Sequence, residues 1–357
     1  MSEEKNSTFI AWIKRRKRVI IGICTILLLI FMTFFIDFMK FIQNLITVGF
    51  FGLIVFIITY TIAFILRAYK LKLIFKGLNL NIEYSTSYFS TGASFVINDL
   101  TPGKLGDLAK IFIIKDKENI KVSESVAAIA IERILDLILL FIISCFALIY
   151  LYVSNFNGET SGQILGQNIQ FYLALGAILI IGILVLFILL LYKTEFIINI
   201  LKRISPKLAH YMKRFVVNFK VGMKKFKDHK RELIYVILLG FPTWIIDGSI
   251  VVIFFYLLGY QLNILLLILA IILTFFSKTF PITPGGWGIS ENVGAAFIYF
   301  FYSLTITFPE ILSIFIIDHL FRSAYLLFFG GYSIFHYNFS LKKIEPINNK
   351  NSEIKIS

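Results

Sequence analysis

The run Ile311–Phe335, ILSIFIIDHLFRSAYLLFFGGYSIF, is apolar over more than the roughly 20 residues a helix needs to cross a bilayer, yet it holds Asp318 and Arg322. At ~1.5 Å per residue both lie roughly 10–17 Å from Ile311, close to mid-bilayer. A charge at that depth costs at least ~2.5–3.5 kcal/mol on insertion scales, so it is paired or faces a cavity. One helical turn apart, the two can simply neutralise each other. They can equally line a polar path.

Similar runs recur along the chain. Val19–Ile36, Val48–Leu66, Val126–Val153, Phe171–Tyr192, Leu233–Leu258, Leu262–Phe280 and Ile289–Leu304 precede Ile311–Phe335. Of 357 residues, 58% are hydrophobic and 16% charged, against about 45–50% and 25% in soluble domains. A lipid-facing surface accounts for the excess. The fold class is therefore an all-α polytopic membrane protein with about eight transmembrane helices. Residues 19–335 form one transmembrane domain, flanked by a basic tail over 1–18 and a flexible tail over 336–357. No soluble domain is expected.

Loop charges orient the spans. Lys14–Arg18 is wholly basic, and Arg67–Lys121 and Lys193–Arg231 are rich in Lys and Arg. The alternate loops Ser154–Gln170, Gly259–Asn263 and Thr305–Glu310 carry no basic residue. The positive-inside rule puts both termini in the cytoplasm of a multi-pass cell-membrane protein. The net charge of +14 thus points to an anionic lipid surface rather than nucleic acid. Within residues 193–231, Leu208, Met212, Phe215, Phe219, Met223 and Phe226 recur at helical spacing among lysines. That pattern predicts an amphipathic helix at the cytoplasmic interface, packed on the bundle or gathering anionic lipid. Cys24 and Cys145 lie in apolar runs, and the four histidines form no ligand motif, so neither metal nor cofactor is expected.

Two further regions put charge where lipid ought to be. In Asn98-Asp99-Leu100-Thr101-Pro102-Gly103-Lys104-Leu105-Gly106-Asp107 the Pro-Gly pair breaks a helix. Lys104, Asp107 and Lys110 then share one side of the next, where Asp107 can pair with either lysine. Ser85–Ile97 is too short to span, so a re-entrant hairpin fits, as does a plain cytoplasmic loop. Downstream, Glu132 and Asp136 share a helical face, with Arg133 beside them. In the same C-terminal region as Asp318 and Arg322, Pro281-Ile282-Thr283-Pro284-Gly285-Gly286-Trp287-Gly288 interrupts an apolar stretch, and Glu291 follows. Thr101-Pro102-Gly103-x-x-Gly106 and Thr283-Pro284-Gly285-x-x-Gly288 repeat one TPGxxG pattern. Paired Gly/Pro-broken segments are a sequence pointer to a transporter's binding site.

Taken in order, Thr101–Asp107, Glu132-Arg133-x-x-Asp136, Pro281–Glu291 and Arg322 resemble the flippase-like membrane family that includes the transmembrane half of lysylphosphatidylglycerol synthase. The resemblance covers nearly the whole chain. The synthase's cytoplasmic aminoacyl-transferase domain has no counterpart here, so lysyl-lipid synthesis is not expected. What the resemblance implies is movement of a lipid or lipid-linked sugar, an anionic phospholipid or polyprenyl-phosphate headgroup, without catalysis. On that basis Asp107, Glu132, Asp136 and Glu291 would receive a cationic headgroup. Lys104, Arg133 and Arg322 would receive a phosphate. Asp99, Lys110 and Asp318 complete the charged lining. Thr101, Pro102, Gly103, Gly106, Pro281, Thr283, Pro284, Gly285, Gly286 and Gly288 supply turns and hinges. The competing functions are a membrane-embedded glycosyl- or lipid transferase and an ion-coupled transporter of a soluble solute.

Overall fold

The computed structural model describes residues 37–101, 104–156, 189, 192–204, 206–278 and 283–339. The expected span Val19–Ile36, nearly all of Phe171–Tyr192, the N-terminal tail, residues 340–357 of the C-terminal tail and the hinge residues Pro102, Gly103 and Pro281 lie outside that set. The described residues contain α-helices and short 3-10 turns and no strand.

Three helices are long and apolar enough to cross a membrane: α1 (Phe38–Gly77), α7 (Lys230–Leu257) and α10 (Phe308–His336). At Gly49, φ is 52° and α1 is interrupted. Beyond that point it continues through Arg67 and Lys70 as far as Gly77, so residues expected in a basic loop are helical and buried. The three helices share two ends. At one, Lys40 pairs with Glu310 at 2.9 Å and Asn44 donates to Ser313 Oγ at 2.7 Å. At the other, Lys76 reaches Glu232 at 3.2 Å, so α7 runs antiparallel to α1.

Two helical hairpins fill the space between. The first is α2 (Tyr84–Leu100) and α3 (Leu105–Glu118). It opens at the Gly77 end, where the Glu83 N–H donates to Glu118 at 3.0 Å. Gly106 lets its two helices touch, because a Cβ there would lie 1.9 Å from the Ser94 carbonyl oxygen. The second is α8 (Ile264–Ser277) and α9 (Ser290–Tyr302). It opens at the Lys40 end, where the Asn263 N–H donates to Tyr302 Oη at 2.8 Å. With 14 and 13 residues, α8 and α9 are about 21 and 20 Å long, short of a ~30 Å hydrocarbon core. Where the sequence predicts two full crossings, the structure has two shorter helices. The hairpins enter from opposite ends and meet: a Cβ on Gly285 would lie 2.7 Å from Asp99 Oδ1.

The remaining long helix, α4 (Val122–Phe156), carries Glu132, Arg133 and Asp136 against α1 and α3. The amphipathic segment forms α5 (Thr194–Ile204) and α6 (Pro206–Lys225). Phe219 and Phe226 are buried as the spacing predicts, joined by Ala209 and Val216. Phe219 and Phe226 pack with Leu71, Ile74, Ile131 and Ile134 in an apolar cluster at the Gly77 end. This face is thus anchored on the bundle.

Candidate functional site

Asp99, Asp107, Glu132, Asp136 and Glu291 each acquire a partner from another helix, and several partners are not those sequence spacing suggests. Asp107 pairs with neither lysine on its own helix. The Arg133 guanidinium reaches over from α4 and grips it with Nε and Nη2, the Nε–Oδ2 distance being 3.0 Å. Asp107 also accepts from Ser94 Oγ at 3.2 Å. The α2–α3 turn is fixed by Asn98, whose Oδ1 accepts the Gly106 N–H at 2.8 Å. Lys110 turns instead to Glu132 at 3.1 Å. Asp136, one turn beyond Glu132, bonds Lys70 of α1 and accepts from Trp244 Nε1 of α7 at 3.2 Å.

The Asp318–Arg322 pair in α10 does form, at 2.8 Å, but it is not self-contained. Arg322 Nη1 bonds Asp247 of α7, and its Nη2 donates to the Asp247 carbonyl at 2.9 Å. The other carboxylate oxygen of Asp247 takes Arg67 of α1. Four buried charges from three helices therefore neutralise one another, which offsets the cost of taking each out of water. Arg67 has Phe95 and Trp244 at 5.4 Å and Phe64 at 5.8 Å, while its Nη1 has no hydrogen-bond partner.

At the meeting point of the hairpins, Glu291 Oε2 accepts the Gly288 N–H at 2.8 Å, and Oε1 bonds His319 Nδ1. Asp99 Oδ1 lies 3.6 Å from His319 Nε2. Gly285, Gly286 and Gly288 all take positive φ, 62°, 80° and 82°. Thr283 Oγ1 donates to the Trp287 carbonyl at 2.8 Å and ties the turn together.

Exposure separates these groups. Arg133 and Asp107 keep 27% and 18% of their side-chain surface, and Lys104 beside them is half-buried. Lys110–Glu132, Lys70–Asp136 and the Arg67–Asp247–Arg322–Asp318 group are buried. One end of the polar line is therefore partly exposed, and the other charged groups named here are buried. Among the described residues no cluster of metal-ligating side chains occurs.

Sequence reasoning missed Arg67, Lys70, Trp244, Asp247 and His319. Asp247 was visible as a lone acid in the apolar run Leu233–Leu258. Arg67 and Lys70 stand at the edge of an apolar run, where a base reads as loop.

This arrangement sits inside a region that is similar to known sequences. The profile of the lysylphosphatidylglycerol synthase TM region matches residues 19–331. The chain belongs to this family. An UPF0104 membrane protein of Methanocaldococcus jannaschii is 28% identical over 254 residues, 71% of this chain and 99% of that protein. One of Pyrococcus horikoshii is 25% identical over 258 residues, 67% and 74% of the two chains. A further M. jannaschii member is 22% identical over 253 residues, 68% and 72%. No solved structure gives a significant match. Family membership and the apolar helices together make this a helical membrane protein with a lipid-related role.

Proposed function

We propose that this protein is a lipid translocase, carrying the polar headgroup of an anionic phospholipid or polyprenyl-phosphate-linked lipid through the bundle while the tails stay in the bilayer. One observation carries the proposal: charged side chains of α1, α3, α4, α7 and α10 form paired groups inside an apolar bundle, and among the described interior pairs Arg133–Asp107, with Lys104 beside it, is the most exposed. A headgroup phosphate would enter there, on the Arg133 fork and Lys104. Arg67 Nη1, a buried donor without a partner, offers it a deeper contact. The role is carriage rather than synthesis, and it needs no cofactor.

In the cell membrane both termini face the cytoplasm, as the loop charges require. The α2–α3 hairpin enters from the cytoplasmic face and α8–α9 from the outer face. Treating α8–α9 as re-entrant removes two of eight crossings and leaves the parity, hence the termini, unchanged.

The test is translocation of acyl-labelled anionic phospholipid in proteoliposomes, read by a membrane-impermeant quencher. Arg133→Ala and Lys104→Gln are expected to lower the rate at least tenfold, about 1.4 kcal/mol or more, while thermal unfolding in detergent shows the fold intact. Wild-type rates in both variants would defeat the site. Product formed from labelled sugar nucleotide and polyprenyl phosphate would instead make the protein a transferase.

A further inference from the structure

Glu291, 1% exposed, and Asp99 flank the imidazole of His319, 3% exposed, one on each ring nitrogen. The three side chains come from three places: Glu291 from the α8–α9 hairpin, Asp99 from the end of α2, and His319 from the middle of α10. Trp287 lies flat on the ring, 4.0 Å between centroids and 10° between planes. The other charges nearby are Lys278 at the end of α8, Asp318 and Arg322 on α10, and Asp247 of α7 through Arg322.

A neutral imidazole has a single N–H and can satisfy one carboxylate. With that proton on Nδ1 for Glu291, the Nε2 lone pair faces the Asp99 carboxylate. One more proton turns Nε2 into a donor and sets a cation between two anions under an indole face, where it is attracted from three sides. The Gly288 N–H also donates to Glu291. Proton uptake would therefore strengthen the contact between the end of α2 and α10, and proton loss would weaken it. Buried His and carboxylate groups in membrane helices are the usual material of proton relays.

We propose that His319 is the proton-binding group through which a proton gradient drives lipid movement. The proposal rests on the translocase function above. One proton leaves water on one face, adds to the Nε2 lone pair, and returns to water on the other face.

Two measurements on the full chain test it. In detergent, tryptophan fluorescence is followed against pH, because an imidazolium stacked on an indole quenches it. The wild type should lose emission on acidification in one transition that is absent from His319→Gln and from Trp287→Phe. In proteoliposomes, labelled phosphatidylglycerol is followed with and without an imposed pH step, which supplies a bias of roughly tenfold per unit for each coupled proton. The wild-type rate should rise with the step, and the ratio of the two rates should fall to one in His319→Gln. Should that variant fail to fold, Asp99→Asn replaces it and should shift the quenching transition and shrink the ratio.

A wild type that moves lipid at one rate regardless of the step overturns the proton proposal and leaves the translocase function standing. So does emission without an acid transition. A wild type that moves no lipid under any gradient overturns both.

Discussion

Thr101–Asp107 and Thr283–Ile289 share the letters TPGxxG, and the chain spends them on different geometry. Gly106 is helical and is needed for closeness, since α2 and α3 touch over it. Its counterpart Gly288 has φ of 82° and is needed for direction, turning its N–H onto Glu291. At the position two before, Lys104 holds a left-handed φ of 55° where the second copy has Gly286 at 80°. The acids differ too. Asp107 reaches outwards to Arg133 on another helix and stays partly accessible, whereas Glu291 is sealed beneath its own turn. A shared motif thus marks two places where helices must break, without fixing how each break is used.

Substitutions can break this contrast. The largest effect is expected at Glu291→Ala, which strips a buried acid from His319 and Gly288 and should cost ~3–5 kcal/mol, seen as a large fall in thermal midpoint in detergent. Gly106→Ala comes next, at about 1–3 kcal/mol, because backbone rather than a flexible side chain must move. Gly288→Ala should cost about 1–2 kcal/mol through φ alone. If Gly106→Ala proves milder than Gly288→Ala, the two glycines do not differ as described. Asp107→Asn keeps the shape of a partly exposed pair, so its stability change should stay within ~1 kcal/mol while lipid translocation collapses. The smallest effect is at Lys104→Gly, which relieves a strained backbone and should change stability by no more than about 1 kcal/mol, in the stabilising direction. Lost transport at unchanged stability there would assign the ammonium group to the headgroup.

The helical membrane fold was legible because apolar runs of bilayer length need no partner to be recognised. Asp318 and Arg322 stood out for the same reason, as charges that lipid would not tolerate. Their true partners were not legible. Asp247 lies 75 positions from Arg322 and 180 from Arg67, and no periodicity links such distances. Arg67 and Lys70 were hidden by helix α1 outlasting its apolar stretch. His319 carries no formal charge in a count at neutral pH, so nothing marks it until Glu291 and Asp99 are seen on either side. The reach of Arg133 to Asp107, rather than of Lys104 or Lys110, depends on how α4 crosses α3, which local spacing does not encode.

The one-for-one pairing of Arg67, Lys70, Lys110, Arg133 and Arg322 with Asp247, Asp136, Glu132, Asp107 and Asp318 has an electrical consequence. Those five pairs add no net charge of their own to repel or trap a passing ion. In the proposed translocation the voltage therefore does no net work on those pairs, while it acts on the cargo at ~2.3 kcal/mol per elementary charge per 100 mV. A headgroup of net charge −1 moving alone would carry current. The same headgroup accompanied by one proton would be electrically silent, and its flux would ignore the voltage while still following the pH difference.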